Sequence, residues 1–339
     1  MSKTEPSSPR FSSVTATGAP SGRRSVDQAA GRTTAPSNIG FVGLGRMGTA
    51  MAKNLAAAGH RVIACVRRPE QIGTLLALGL KPSTDLADLF DCDMVISMLP
   101  DDDAVREVAL GRQDIGRKGL AAGLKPGAIH LCMSTISTAA ASQLASAHAR
   151  SAQGYVAAPV FGNPDAAKAR QLFIVAAGAP VDVERCRPLL DLLGQQTFVV
   201  DSDPAHANLI KLMGNMLTAT ALEMLGETVA LLRKRGLDPG RFVELMASTM
   251  FGGRVHRIYG NRIAAQDYAA GFALPLALKD VRLALAEAES ASVPMPSVSV
   301  VRDRMMTGIA RGYAALDWTA LGLIAAEEAG APESRSTTS

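Results

Sequence analysis

Short apolar runs alternate with longer amphipathic stretches from Asn38 to Val200. Ile39–Val42 reads as a buried strand, and the glycine-rich turn after it opens a helix that Gly59 ends. Arg61–Val66 is a second strand, a helix lies near 69–78, and Met94–Leu99 is a third strand with a helix from about Asp101. Ala128–Met133 follows as a strand, and Ser137 starts a helix that ends near Arg150. Strands near Tyr155–Ala158 and Leu172–Ala177, a helix over 182–193 and a strand at Thr197–Val200 complete the series. Strands alternating with helices predict a parallel, doubly wound sheet.

Beyond Asp201 the strand signals stop. One long helix is expected over 204–235, broken at Gly236, and Asp238-Pro239 opens the next. Further helices fit 239–248, 275–291, 297–310 and 316–329, with Pro294 and Pro296 marking the break before the third of these. The fold class is α/β, with a doubly wound sheet at 37–200 and an all-α domain at 201–331.

Composition changes this picture at the ends. Residues 1–36 are rich in Ser, Thr, Pro, Gly and Ala, and cannot bury enough surface to offset their ordering entropy. They read as a disordered tail, with 332–339 as a flexible one, and Glu5, Asp27 and the prolines argue against a transit peptide. The formal net charge is +4, but Lys3, Arg10, Arg23, Arg24 and Arg32 against Glu5 and Asp27 put +3 of it in the first 37 residues. The remaining +1 leaves no basic footprint for nucleic acid. Hydrophobic residues make up 47% of the 339, enough for two cores, yet no run approaches the ~18 apolar residues of a membrane helix. Cys65, Cys92, Cys132 and Cys186 are widely spaced, which suits small core residues in a reducing, cytoplasmic setting. The five histidines never pair at ligand spacing, so no metal is expected.

Gly43-Leu44-Gly45-Arg46-Met47-Gly48 carries the first chemistry. A GxGxxG that directly follows a strand and opens a helix is placed to bind the pyrophosphate of a dinucleotide, which makes the sheet Rossmann-type. Gly43 serves the tight turn, Gly45 the approach of the phosphates to backbone amides, and Gly48 the packing of helix on sheet. About twenty residues on, an NAD enzyme places an acidic side chain on the ribose. Arg67-Arg68 stand there instead, and arginine forks suit a 2′-phosphate, so NADP is expected over NAD.

At this point the chain resembles the 3-hydroxyisobutyrate dehydrogenase family of β-hydroxyacid dehydrogenases, from about residue 38 to 329. The motifs come in family order: Gly40–Gly48 with Met51–Leu55 and Ala58–His60, then Met98-Leu99-Pro100, Ser134-Thr135 and Ala158-Pro-Val160. Lys211 with Asn215, and Gly271-Phe272 followed by Lys279-Asp280, complete the set. The resemblance implies catalysis by Lys211 and Asn215. It implies substrate binding by Ser134, Val160, Phe161 and Gly162, and cofactor contacts from Leu99, Pro100, Thr135 and Lys279. It also implies a homodimer or homotetramer built through the helical domain, where apolar residues from Leu212 to Leu225 spread around the long helix.

Lys211 and Asn215 are i, i+4 on a helix and so share a face. Hydride transfer between a carbinol and nicotinamide needs a proton partner on the same oxygen, and lysine can give or take that proton. The family's usual Asp-Ala-Pro-Val-Ser-Gly-Gly stands here as Ala157-Ala-Pro-Val-Phe-Gly-Asn163, and Cys132 replaces a common aspartate. These departures leave the hydride chemistry and unsettle the identity of the small-molecule substrate. The expected activity is interconversion of a small hydroxyacid or alcohol with the keto acid, semialdehyde or aldehyde. An imine reductase using NADPH and a non-catalytic dinucleotide-binding scaffold are the alternatives.

Overall fold

A computed structural model describes residues 37–331; the tails expected at 1–36 and 332–339 lie outside them. β1 (Asn38–Val42), α1 (Arg46–Ala57), β2 (Arg61–Cys65), α2 (Ile72–Ala77) and β3 (Lys81–Ser83) form one arm of the sheet. β4 (Met94–Ser97) and α3 (Asp102–Leu110) follow, then the small hairpin β5 (Gly111–Arg112) and β6 (Arg117–Lys118), and α4 (Leu120–Gly123). The other arm runs β7 (Ile129–Cys132), α5 (Thr138–Arg150), β8 (Gly154–Ala157), β9 (Val160–Phe161) and α6 (Pro164–Lys168). β10 (Leu172–Ala177), α7 (Pro180–Leu193) and β11 (Gly194–Asp201) end it.

β3-β2-β1-β4-β7-β8 are all parallel, so the order reverses between β1 and β4. In open sheets of this kind ligands bind at that switch point, outside the carboxyl ends of the strands. The sheet is not parallel throughout. β10 pairs antiparallel with β8 and β9, and β11 follows β10 in parallel. A parallel return needs a covering crossover, and the five-residue α6 between β9 and β10 is too short to supply one. Ile39, Phe41, Ile96, Ile129 and Leu131 fill the sheet's core with Met51 and Leu55 of α1, all fully buried.

After Asp201 every regular element among the described residues is helical. Asp203 caps α8 (Pro204–Lys234) by accepting from Ala205 N, and proline at its start costs no hydrogen bond. α9 (Pro239–Ser248), α10 (Arg254–Ala264), α11 (Leu274–Ser290), α12 (Pro296–Ala310) and α13 (Leu321–Glu328) follow. A 3₁₀ turn, Trp318–Ala320, precedes α13 where one continuous helix was expected. The 31-residue α8 packs on α5, β8 and β10 with one stretch and on α10, α11 and α13 with the rest. Leu222, Val229, Ile263, Leu274, Met305 and Trp318 form the second core around it. Among the described residues no helix is long and apolar enough to cross a membrane.

Candidate active site

The glycine turn closes where the sequence puts it. Gly43 has φ +94°, and a Cβ there would lie 2.2 Å from the Met98 carbonyl oxygen. A Cβ on Gly48 would lie 1.9 Å from the Gly43 carbonyl oxygen. Gly45 is the opposite case. It is exposed, its missing Cβ would meet nothing within 4 Å, and the amides of α1 above it have no side-chain cap. Open space at an uncapped helix start is the cradle a pyrophosphate fills, so these residues fit a dinucleotide.

Beside that turn lies a cleft of about 670 Å³ lined by Leu44, Thr49, Arg68, Glu70, Gln71 and Thr74. Of the two expected arginines, Arg68 lines it; Arg67 is exposed next to it. Thr49, whose hydroxyl donates to Leu44 O at 2.9 Å, and Glu70 are additions that sequence reading missed. Arg46 leaves the turn and donates to Ala270 O of the helical half at 2.6 Å. Ala270 is held in place by Asp317, which accepts from the next two amides, Gly271 N and Phe272 N, at 2.9 and 2.7 Å.

At the carboxyl ends of β4 and β7 the Leu99-Pro100 and Ser134-Thr135 segments meet. Leu99 N donates to Ser134 Oγ at 2.7 Å, and Ser134 is wholly buried. Its hydroxyl ties one strand end to the other while keeping its own proton to donate. Val160 of β9 pairs with Ile174 and turns its side chain into the core. Met47 packs its side chain on that core, and its amide belongs to the uncapped first turn of α1. Thr135 is half-buried, and its carbonyl accepts from Lys279 Nζ at 2.5 Å, a bond that joins the two halves.

Lys211 is buried on α8. Its Nζ donates to Asn215 Oδ1 at 2.8 Å, and Asn215 Nδ2 donates to Asp280 Oδ2 at 2.6 Å. Asp280 in turn faces Lys279 Nζ at 2.8 Å. Burial lowers the Lys211 pKa to about 8; Asp280 pulls it back up and Lys279 pushes it further down. Phe161, which precedes the Gly162 turn, lays its ring 4.2 Å from Lys211 Nζ. One turn before the lysine, Asn208 is wholly buried; its Oδ1 accepts from Ile136 N at 3.2 Å and its Nδ2 has no partner among the described residues. The face of α8 thus offers an amine near neutrality, an orienting amide, an aromatic wall and one free neutral donor. Asp280 and Asn208 were not assigned from sequence, since one acts from 65 residues away and the other through a backbone amide.

Comparison with known proteins agrees with this chemistry. Residues 38–201 match the NAD binding domain of 6-phosphogluconate dehydrogenase. Residues 205–323 match the NAD-binding domain of NADP-dependent 3-hydroxyisobutyrate dehydrogenase. An uncharacterized oxidoreductase of Bacillus subtilis is 38% identical over 285 residues, 84% of this chain and 98% of the relative. A 3-hydroxyisobutyrate dehydrogenase of Pseudomonas aeruginosa is 32% identical over 275 residues, 79% of this chain and 90% of its own. The solved 3-hydroxyisobutyrate dehydrogenase from Salmonella typhimurium shares the fold, with a TM-score of 0.75 at 23% identity, covering 85% of this chain and 99% of that one. The chain therefore belongs to the 3-hydroxyisobutyrate dehydrogenase-like family of β-hydroxyacid dehydrogenases, nicotinamide-dependent oxidoreductases that act on CH–OH groups.

Proposed function

We propose that this protein uses NADPH to reduce a small aldehyde or keto compound to the alcohol, with Lys211 as general acid and, in the reverse direction, general base. The observation that carries the reading is the Lys211–Asn215 pair at 2.8 Å, buried on α8 with the amine drawn down to about pKa 8. Near neutral pH such an amine is mostly protonated and still a good proton donor.

The bound dinucleotide would supply the hydride; Gly43, Leu44, Gly45, Arg46 and Gly48 would hold it, with Arg68 and Arg67 at its ribose end. Lys211 gives its proton to the carbonyl oxygen as the carbinol forms. Asn215 keeps the ammonium aimed, and Lys279 spans from α11 to the Thr135 carbonyl at the rim. NADP over NAD is supported by the arginine pair, with Glu70 on the same cleft as the group that opposes a 2′-phosphate. An ammonium at the reacting atoms favours a neutral carbonyl over an iminium, which it would repel. A homodimer or homotetramer is supported by Ile210, Leu217, Met224 and Leu231, exposed at every seventh position of α8. The free thiols suit a cytoplasmic setting.

Lys211→Met tests the reading. It keeps the stem and removes the donor, so NADPH binding should persist while turnover with the best carbonyl substrate falls by ~10²–10⁴-fold. Near-full turnover in a folded variant would refute it. Arg67→Ala with Arg68→Ala should raise the NADPH KM far more than the NADH KM, and equal use of both cofactors by the native protein would refute the NADP preference.

A further inference from the structure

Phe161 ends β9 with its ring against the Lys211 ammonium, centroid to Nζ 4.2 Å. The ring is also fitted to its place: a Cβ on Gly214, the residue three beyond the lysine, would lie 2.4 Å from a ring carbon. Glycine at 214 is what leaves room for phenylalanine at 161. The two positions, far apart in sequence, form one wall.

Several polar groups around that wall already carry hydrogen bonds. Ser134 Oγ accepts from Leu99 N, and Asn163 Oδ1 accepts from Ala166 N as the cap of α6. Both ends of the Asn215 amide are used, and Lys279 lies between Thr135 O and Asp280. A substrate carboxylate here would meet the negative face of an aromatic ring near the Asp280 carboxylate, and Lys279, the cation beside the reacting amine, is already bound to Thr135 O and Asp280. Desolvating an anion without a partner is strongly unfavourable, whereas the ring contributes to binding any apolar group laid on it. Asn208 Nδ2 remains as a neutral donor, suited to a carbonyl or hydroxyl oxygen.

We propose that Phe161 and Gly214 make this a site for carbonyl compounds whose flanking group is apolar and uncharged, in place of the carboxylate of a semialdehyde acid. The proposal rests on the reading of Lys211 as the proton donor to the substrate oxygen.

The test compares 4-methylpentanal with succinic semialdehyde, which differ in an isopropyl group for a carboxylate, by NADPH oxidation with the full chain. The native protein should favour 4-methylpentanal in kcat/KM by at least about tenfold, since a pocket discriminates by roughly 10–200-fold per methylene-sized group. Phe161→Leu should keep that preference, because the wall stays apolar. Phe161→Ser should shrink or invert it, mostly through KM. A native preference for succinic semialdehyde, or an unchanged ratio in Phe161→Ser with Phe161→Leu as the folded control, overturns the proposal and leaves the oxidoreductase reading standing. Reduction of neither aldehyde, nor of glyoxylate, by protein that binds NADPH overturns both.

Discussion

Asn215 Nδ2 donates to Asp280 Oδ2 at 2.6 Å, so the amide can turn only its oxygen toward Lys211. The carboxylate is 3% exposed and acts on the lysine through the amide and through its own charge. Asp280→Asn should therefore scramble the amide's orientation and remove the charge that holds the ammonium on. Turnover should fall roughly 10–100-fold, less than for Lys211→Met, with the NADPH Kd nearly constant. Stopped-flow reduction and cofactor fluorescence separate the two; an unchanged kcat would exclude this positioning role.

The direction of reaction should divide about pH 8. Reduction needs the Lys211 ammonium, so its kcat/KM is flat below about 8 and drops about tenfold per unit above. Oxidation needs the neutral amine and should rise up to about pH 8 before levelling. Lys211→Met should lose both limbs, and a reductive profile that stays flat to pH 9.5 would contradict the assignment.

His130 and His148 form a chain with fixed direction. Gln153 Oε1 accepts from His148 Nδ1 at 2.7 Å because its amide nitrogen donates to Leu124 O, so His148 Nε2 accepts from His130 Nδ1 at 2.9 Å. His130 Nε2 then accepts from Ser97 Oγ at 2.8 Å. Burial lowers both pKa values, most strongly that of His130. Above the unfolded pKa near 6.5 the stability they allow is complete. As pH falls below it, the unfolded chain takes up protons that the native chain refuses, at ~1.4 kcal/mol per unit per histidine. Urea melts at pH 7.5 and 5.5 should show the loss, and His148→Gln should reduce the slope; a native stability independent of pH over this range would exclude it.

Leu217 and Met224 are 66% and 63% exposed on α8. Apolar residues at seven-residue spacing make a seam for another helix. Leu217→Glu with Met224→Glu should convert the assembly to a 35.3 kDa monomer in light scattering, and a native monomer at micromolar concentration would dismiss the seam.

Reading the sequence located most elements because their signals are local. Ser137 accepts from Ala140 N and Asp238 from Gly240 N, and both helices begin where those residues stand. α10 had no such start signal: Gly253 precedes it without a side-chain cap, and its apolar period of Val255, Ile258, Tyr259 and Ile263 is interrupted by arginines and is short. The direction of β10 was hidden because periodicity distinguishes strand from helix and carries nothing about sense. Within the site, residue type and spacing found Lys211 and Asn215 on one helix. The bond from Leu99 N to Ser134 Oγ was not legible, because no pattern states which backbone amide a hydroxyl will meet. Val160 and Phe161 are adjacent, yet the pleat sends one to the core and leaves the other beside the lysine.

α8 joins β11 through Ser202 and Asp203 alone, and the same rod that carries Lys211 is the spine of the helical half. At ~1.5 Å per residue it is about 46 Å long, with no proline beyond its first position to soften it. Because the same stiff rod rests on α5, β8 and β10 at one end and on α10, α11 and α13 along the rest, the amine is indexed to both halves at once. The Arg46–Ala270 and Lys279–Thr135 bonds then act as two further registration pins along the line where the halves meet.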